Sequence, residues 1–142
     1  MSLLPLETAI VARVQAQVQP LGLKTEAFPE RPEDYHLTHP VGAVLVVYGG
    51  STNGVVITEA PLSYERHIQF SLCLMLRGLR APTGVYAVLE ALRAALDGWT
   101  PDGYRRGRVV KDTFIGNNDG TWIYELTFEA TTQVVRPITD WN

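Results

Sequence analysis

The residues of this chain whose types could do chemistry are three histidines, one cysteine, a glycine-rich run and two glutamates on one strand. His36 and His39 lie three apart with Glu33 and Asp34 just upstream, a set that could ligate a metal. No helical pattern fixes that spacing, and the surrounding prolines predict a mobile loop, so surface histidines are the preferred reading. His67 falls at the edge of a predicted strand, where packing or solvation is expected before catalysis. Tyr48-Gly49-Gly50-Ser51-Thr52-Asn53-Gly54 follows an apolar strand. A phosphate loop would need a Lys followed by Ser or Thr and then a helix, and none of these is found there. Cys73 stands between Leu72 and Leu74, away from cations and helix starts, which predicts an inert packed thiol. As the only cysteine it makes no disulfide within the chain, and folding in a reducing cytoplasm fits. No nucleophile elbow occurs. Glu125 and Glu129 share one strand face about 13 Å apart, too far for paired glycosidase carboxylates. The expectation is a protein without cofactor, metal or catalytic residue.

Arg105, Arg106, Arg108 and Lys111 form the densest basic group, flanked by Trp99 and Tyr104. Arginines on phosphates with aromatics stacking on bases is one reading. A solvated hairpin base, with Trp99 covering the end of a helix, is the preferred one. Contact with an acidic neighbouring subunit stands between them. The formal charge of −3 excludes binding to nucleic acid by bulk electrostatics. Charge is unevenly spread: residues 1–67 hold seven acids and four bases, 77–111 three acids and seven bases, and 112–142 five acids and one base. A basic middle and an acidic end could meet in copies of the chain, although a solvated mixed surface is equally compatible.

The elements that would position these groups follow from periodicity. Ile10, Val11, Val14 and Val18 make an apolar stripe on a helix over residues 6–19, bounded by Pro5 and Pro20. A short strand over 23–28 is followed by an exposed Pro-rich loop to Pro40. Residues 41–48 are continuously apolar and β-branched, which suits a strand covered on both faces and placed centrally in a sheet. Gly49 to Gly54 reads as a flexible loop. Over 64–76, Ile68, Phe70, Leu72, Leu74 and Leu76 alternate with mixed residues, so one strand face is apolar. A second helix spans 83–96, capped by Thr83 and stopped by Gly98, with Val85, Val88, Leu89, Leu92, Ala95 and Leu96 on its buried stripe. Residues 107–115 and 121–133 form a hairpin about Gly116-Asn117-Asn118-Asp119-Gly120. Its second arm would be on the order of 40 Å long, more than the sheet itself needs, and so available to a neighbour. The predicted fold class is α+β: a mixed, mainly antiparallel sheet, two helices packed on one face, and a long C-terminal β-hairpin, all in one domain over residues 1–142. The N-terminus lacks a signal-peptide pattern, and no stretch is apolar enough to span a bilayer. A soluble protein is expected.

Three stretches together resemble the tail-terminator family of Mu-like contractile-tail phages and prophages. They are Val41-Gly42-Ala43-Val44-Leu45-Val46-Val47-Tyr48-Gly49-Gly50, then Arg77-Gly78-Leu79-Arg80 with the segment Gly84 to Trp99, and Asp119-Gly120-Thr121-Trp122-Ile123-Tyr124-Glu125-Leu126-Thr127-Phe128. Their order and spacing carry the similarity; residues 29–40 and those after Val134 match no pattern. The resemblance implies a virion structural protein at the head-proximal end of the tail, assembled in the host cytoplasm. It implies a homo-oligomeric ring, of six copies, that caps tube and sheath, stops tail growth and meets the neck or connector protein. DNA would pass its lumen without specific binding. On this reading the subunit interface would draw on Arg105, Arg106, Arg108, Lys111, Glu125 and Glu129. Alternatives are the cap of a phage-derived contractile injection system, another neck or head–tail joining protein, and, more remotely, a small enzyme using the Gly49–Gly54 loop.

Overall fold

Leu6, Ile10, Val14 and Val18 recur at helical spacing, and all four are buried along one stripe of helix α1 (Leu3–Val18). The helix begins a turn earlier than predicted, with Pro5 tolerated in its first turn. A short 3-10 turn containing Pro20 ends it, and Gly22, at φ 82°, reverses the chain. The computed structural model describes residues 2–137, and of Asp34 the backbone alone; the segment after Val134 that matched no pattern lies partly outside them.

Five strands follow: β1 (Lys24–Ala27), β2 (Gly42–Glu59), β3 (Leu62–Leu76), β4 (Arg105–Asn118) and β5 (Thr121–Arg136), with helix α2 (Val85–Leu96) between β3 and β4. The sheet order is β1-β2-β3-β5-β4, parallel only between β1 and β2 and antiparallel elsewhere. This is the expected mixed, mainly antiparallel α+β fold. Even-numbered residues of β3 and β5, among them Ile68, Phe70, Leu72, Leu126 and Phe128, join Val44 and Val46 of β2 and the buried stripes of both helices in one core cluster. Both helices therefore cover one face, and the other is free of helices.

Three sequence expectations need correction. Gly49 to Gly54 is not a loop but the middle of β2, paired with β3 through register shifts beside Tyr48 and after Asn53. The bulges absorb the turn-prone residues that made the segment read as a break. The long C-terminal hairpin, β4 with β5, is present as expected, but it is not a projecting arm. β5 pairs with β3 from Trp122 to Arg136, so its length is used within the sheet. The exposed arm is instead the far half of β2, which has no buried residue after Val46, with its partners Leu62–Phe70 of β3 and the end of β5 alongside. Thr83 does not cap α2; Gly84 holds the cap position, and the carbonyls of Gly78 and Leu79 accept from the Val85 and Tyr86 amides. The Pro-rich loop is exposed or half-buried at every described side chain, as expected, and Arg77 donates to the Leu37 and His39 carbonyls at its end.

Candidate functional site

All four members of the basic group lie on β4, but they divide in two. Arg105 and Arg106 both bind Glu65 on β3, Arg106 Nη1 at 3.1 Å from Glu65 Oε2. Arg106 adopts a left-handed φ of 57° at the bulge that lets both guanidinium groups reach across β5. Arg108 stands opposite Glu129 and Lys111 opposite Thr127 in register, and neither makes an ion pair among the described residues. Glu129 instead accepts from Gln69 Nε2 at 3.0 Å. Glu125 lies between Cys73 and Thr113 on the same helix-free face. The predicted interface residues are thus brought to one side of the sheet, with Arg105 and Arg106 sharing the one carboxylate of Glu65 within the chain.

Partial burial pushes the Glu65 carboxyl up, but the hydrogen bond and charge of Arg106, joined by Arg105, outweigh it and hold the carboxyl below its ordinary value. A carboxyl depressed in the folded state contributes stability that is present above its unfolded pKa and is lost as pH falls through the folded one. Glu65→Gln should therefore flatten the acid limb of a stability-versus-pH curve measured by urea unfolding and leave the neutral region parallel to wild type. An unchanged acid limb would show that this cluster does not form in solution.

Trp99 and Tyr104 do not join the cations. Trp99 packs on Phe128 at 5.7 Å between ring centroids and lies under the Arg13 guanidinium, 5.4 Å from its centroid, on the helix side. Tyr104 also packs against the core. Arg108 and Lys111 occupy the opposite side, so among the described residues these cations and the two aromatic rings form no common platform for a nucleic-acid strand. Trp99 also closes the end of α2, its amide donating to the Leu96 carbonyl.

The remaining candidate groups stay dispersed. His39 Nδ1 accepts from the Val41 amide at 3.4 Å, while His36 is exposed. Among the described residues, no group of three or more His, Cys, Asp or Glu could hold a metal ion. His67 lies inside β3, further from its end than expected, and its Nδ1 meets Thr131 Oγ1 at 3.0 Å. Burial, then the charge of Glu125, pushes the Cys73 thiol up, away from thiolate chemistry. In the former glycine loop, Arg66 Nε donates to Ser51 Oγ at 3.1 Å and its Nη2 to the Tyr48 hydroxyl. The segment is extended strand paired with β3, which is not the loop-to-helix geometry of a phosphate cradle. A hollow of about 560 Å3 between the start of α1 and the 99–104 turn is lined by Pro5, Leu6, Ala9, Trp99 and Pro101, with Asp102 and Tyr104 at its wall.

Sequence reasoning passed over the free edges. β1 pairs with only Ala43–Val46 of β2, leaving residues 47–59 unpaired on that side, and Val55, Val56 and Ile57 there are exposed. At the opposite edge, β4 exposes Phe114 and Ile115. The signal was available in the β-branched run Val55-Val56-Ile57-Thr58 between Gly54 and Pro61, a strand pattern without a polar face.

Open strand edges and an arm on a five-stranded sheet covered by two helices define a small α+β domain. A family model for the Gp37 protein matches residues 10–140, and the chain belongs to this phage-related family. A search of curated proteins finds no match. No helix among the described residues is long and apolar enough to cross a membrane.

Proposed function

We propose that the chain is a tail terminator, a structural virion protein whose copies close into a six-membered ring on the last layer of a contractile tail tube. The observation that carries this reading is the pair of open edges: residues 47–59 of β2 on one side and β4 beyond Val109 on the other, both bearing exposed apolar side chains, whereas Gly107 and Val109 are already bonded to Gly98 and Asp97. Long, apolar, uncovered edges are what natural monomers avoid and what assembling subunits use. Membership of a phage-related family supports it, as does the similarity of three ordered stretches to terminators of Mu-like phages.

In this reading the protein works by shape and is not an enzyme. The ring covers the tube end, denies further tube and sheath subunits their landing surface, and offers its far side to the neck protein. At −3 per copy, six copies would carry a charge of about −18, which keeps phosphate from adhering as DNA passes the lumen. Particles assembled without the protein, imaged by electron microscopy, should show tubes or sheaths of uncontrolled length and heads without tails. Tails of normal length attached to heads would refute the assignment.

A further inference from the structure

The edges differ in what they present, and the differences are complementary. Six of the nine large hydrophobic side chains exposed among the described residues lie on the two edge strands: Val47, Val55, Val56 and Ile57 on β2, Phe114 and Ile115 on β4. A solvated surface would scatter such residues singly. On the edge strands themselves, Arg108 and Lys111 of β4 and Glu59 at the arm end are exposed without an ion pair among the described residues, while the loop beside β1 mixes Glu30 and Glu33 with an equally unpaired Arg31.

Strand direction decides how two copies can meet. From β2 through β3 and β5 to β4 every pairing is antiparallel, so β2 and β4 run in opposite directions. Two copies placed side by side in the same orientation bring β4 of one antiparallel to β2 of the next, the geometry of an ordinary sheet extension. Val56 stands opposite Tyr64, and Phe114 opposite Tyr124, so both point to the helix-bearing side and would meet on one face of the joined sheet. β1 occupies the edge only beside Ala43–Val46, leaving residues 47–59 open to the incoming strand.

We infer that the β2 arm of one copy docks on the β4 edge of the next, a head-to-tail contact between second copies of this same chain. The inference rests on the proposed ring and specifies its joint. Because the two contacting surfaces are different, the contact is heterologous and closes into a ring where the rotation permits. The β4 tip and the arm lie at opposite ends of the sheet, so bringing Val56 to Phe114 staggers successive copies along the strands, as a closed, tilted sheet requires.

The difference between the two surfaces gives a test that does not depend on register. Val56→Asp spoils only the arm, and Phe114→Asp only the β4 edge; Ile115→Asp serves as a second β4 variant, since Phe114 also packs on Trp122 and Tyr124. Each variant, folded by circular dichroism, is examined by analytical ultracentrifugation alone and mixed in equal amounts, with tail tube protein added. Each alone should need at least about tenfold more protein than wild type to form oligomers. The arm variant mixed with either β4 variant should give dimers and nothing larger, because each retains one intact surface. Rings of wild-type size from any single variant, or mixtures that stay monomeric, would overturn the edge assignment while leaving the ring itself standing. A wild-type chain that never oligomerises on tube ends would remove the terminator reading, and this inference with it.

Discussion

Phe128→Ala should lower the free energy of unfolding by about 3–5 kcal/mol, a large share of the roughly 5–15 kcal/mol that holds a small domain together. Phe128 sits mid-strand in β5, opposite Phe70 of β3 on one side and Val109 of β4 on the other, and is 1% exposed. Its ring supports Trp99, which in turn closes the end of α2. Truncation therefore leaves a cavity where sheet, helix and turn meet, and β5, paired along both sides, has little freedom to collapse into it. Equilibrium urea unfolding should show a lower midpoint with an unchanged slope. Glu129→Ala, one residue away on the helix-free face, should change stability by less than about 1 kcal/mol. A Phe128→Ala loss as small as that would contradict the packing described.

Gly107→Ala should be at least as damaging, about 3 kcal/mol or more, for a different reason. A Cβ at position 107 would lie 1.6 Å from the Trp99 carbonyl oxygen and 2.7 Å from its carbon, both backbone atoms that cannot rotate away. The same approach is held by the Gly98 amide, which donates to the Gly107 carbonyl at 2.8 Å. Adding one methyl group must pull β4 off the turn that follows α2. Gly116→Ala is the matched control, because nothing lies within 4 Å of its added carbon. Thermal unfolding of the two variants side by side decides the point: similar melting temperatures would mean that the Trp99–Gly107 contact is not present in solution.

Much of the core was legible because burial imposes a period that side-chain type reveals. The α2 stripe and the alternating face of β3 are read directly from apolar spacing and recur as buried residues, as does the α1 stripe except that Leu6 is buried and Val11 only half-buried. The run ending at Tyr48 was legible as a strand, but its continuation was not. Gly49, Gly50, Ser51 and Asn53 all favour turns locally, and only pairing with Gln69, Ile68 and Arg66 of β3 holds them extended. The same limit hid the arm and reassigned it to the C-terminal hairpin, since strand length alone does not reveal which neighbour uses it. The basic group was found by density along the chain, yet its division into bound and unbound halves depends on Glu65, forty residues away in sequence and adjacent only once the sheet is in register. Thr83 has good capping chemistry, but the chain turns so tightly at Gly84, where a Cβ would lie 2.8 Å from the Leu79 carbonyl, that the backbone itself supplies the partners.

The proposal assigns the protein's work to its free edges and their closure on further copies of the chain. Native mass measurement of the purified protein, alone and bound to preformed tail tubes, addresses this most directly. A discrete closed multiple of the 15.7 kDa chain, six copies on the tube end, is the predicted result. A chain that remains monomeric at every concentration, with and without tubes, would contradict it.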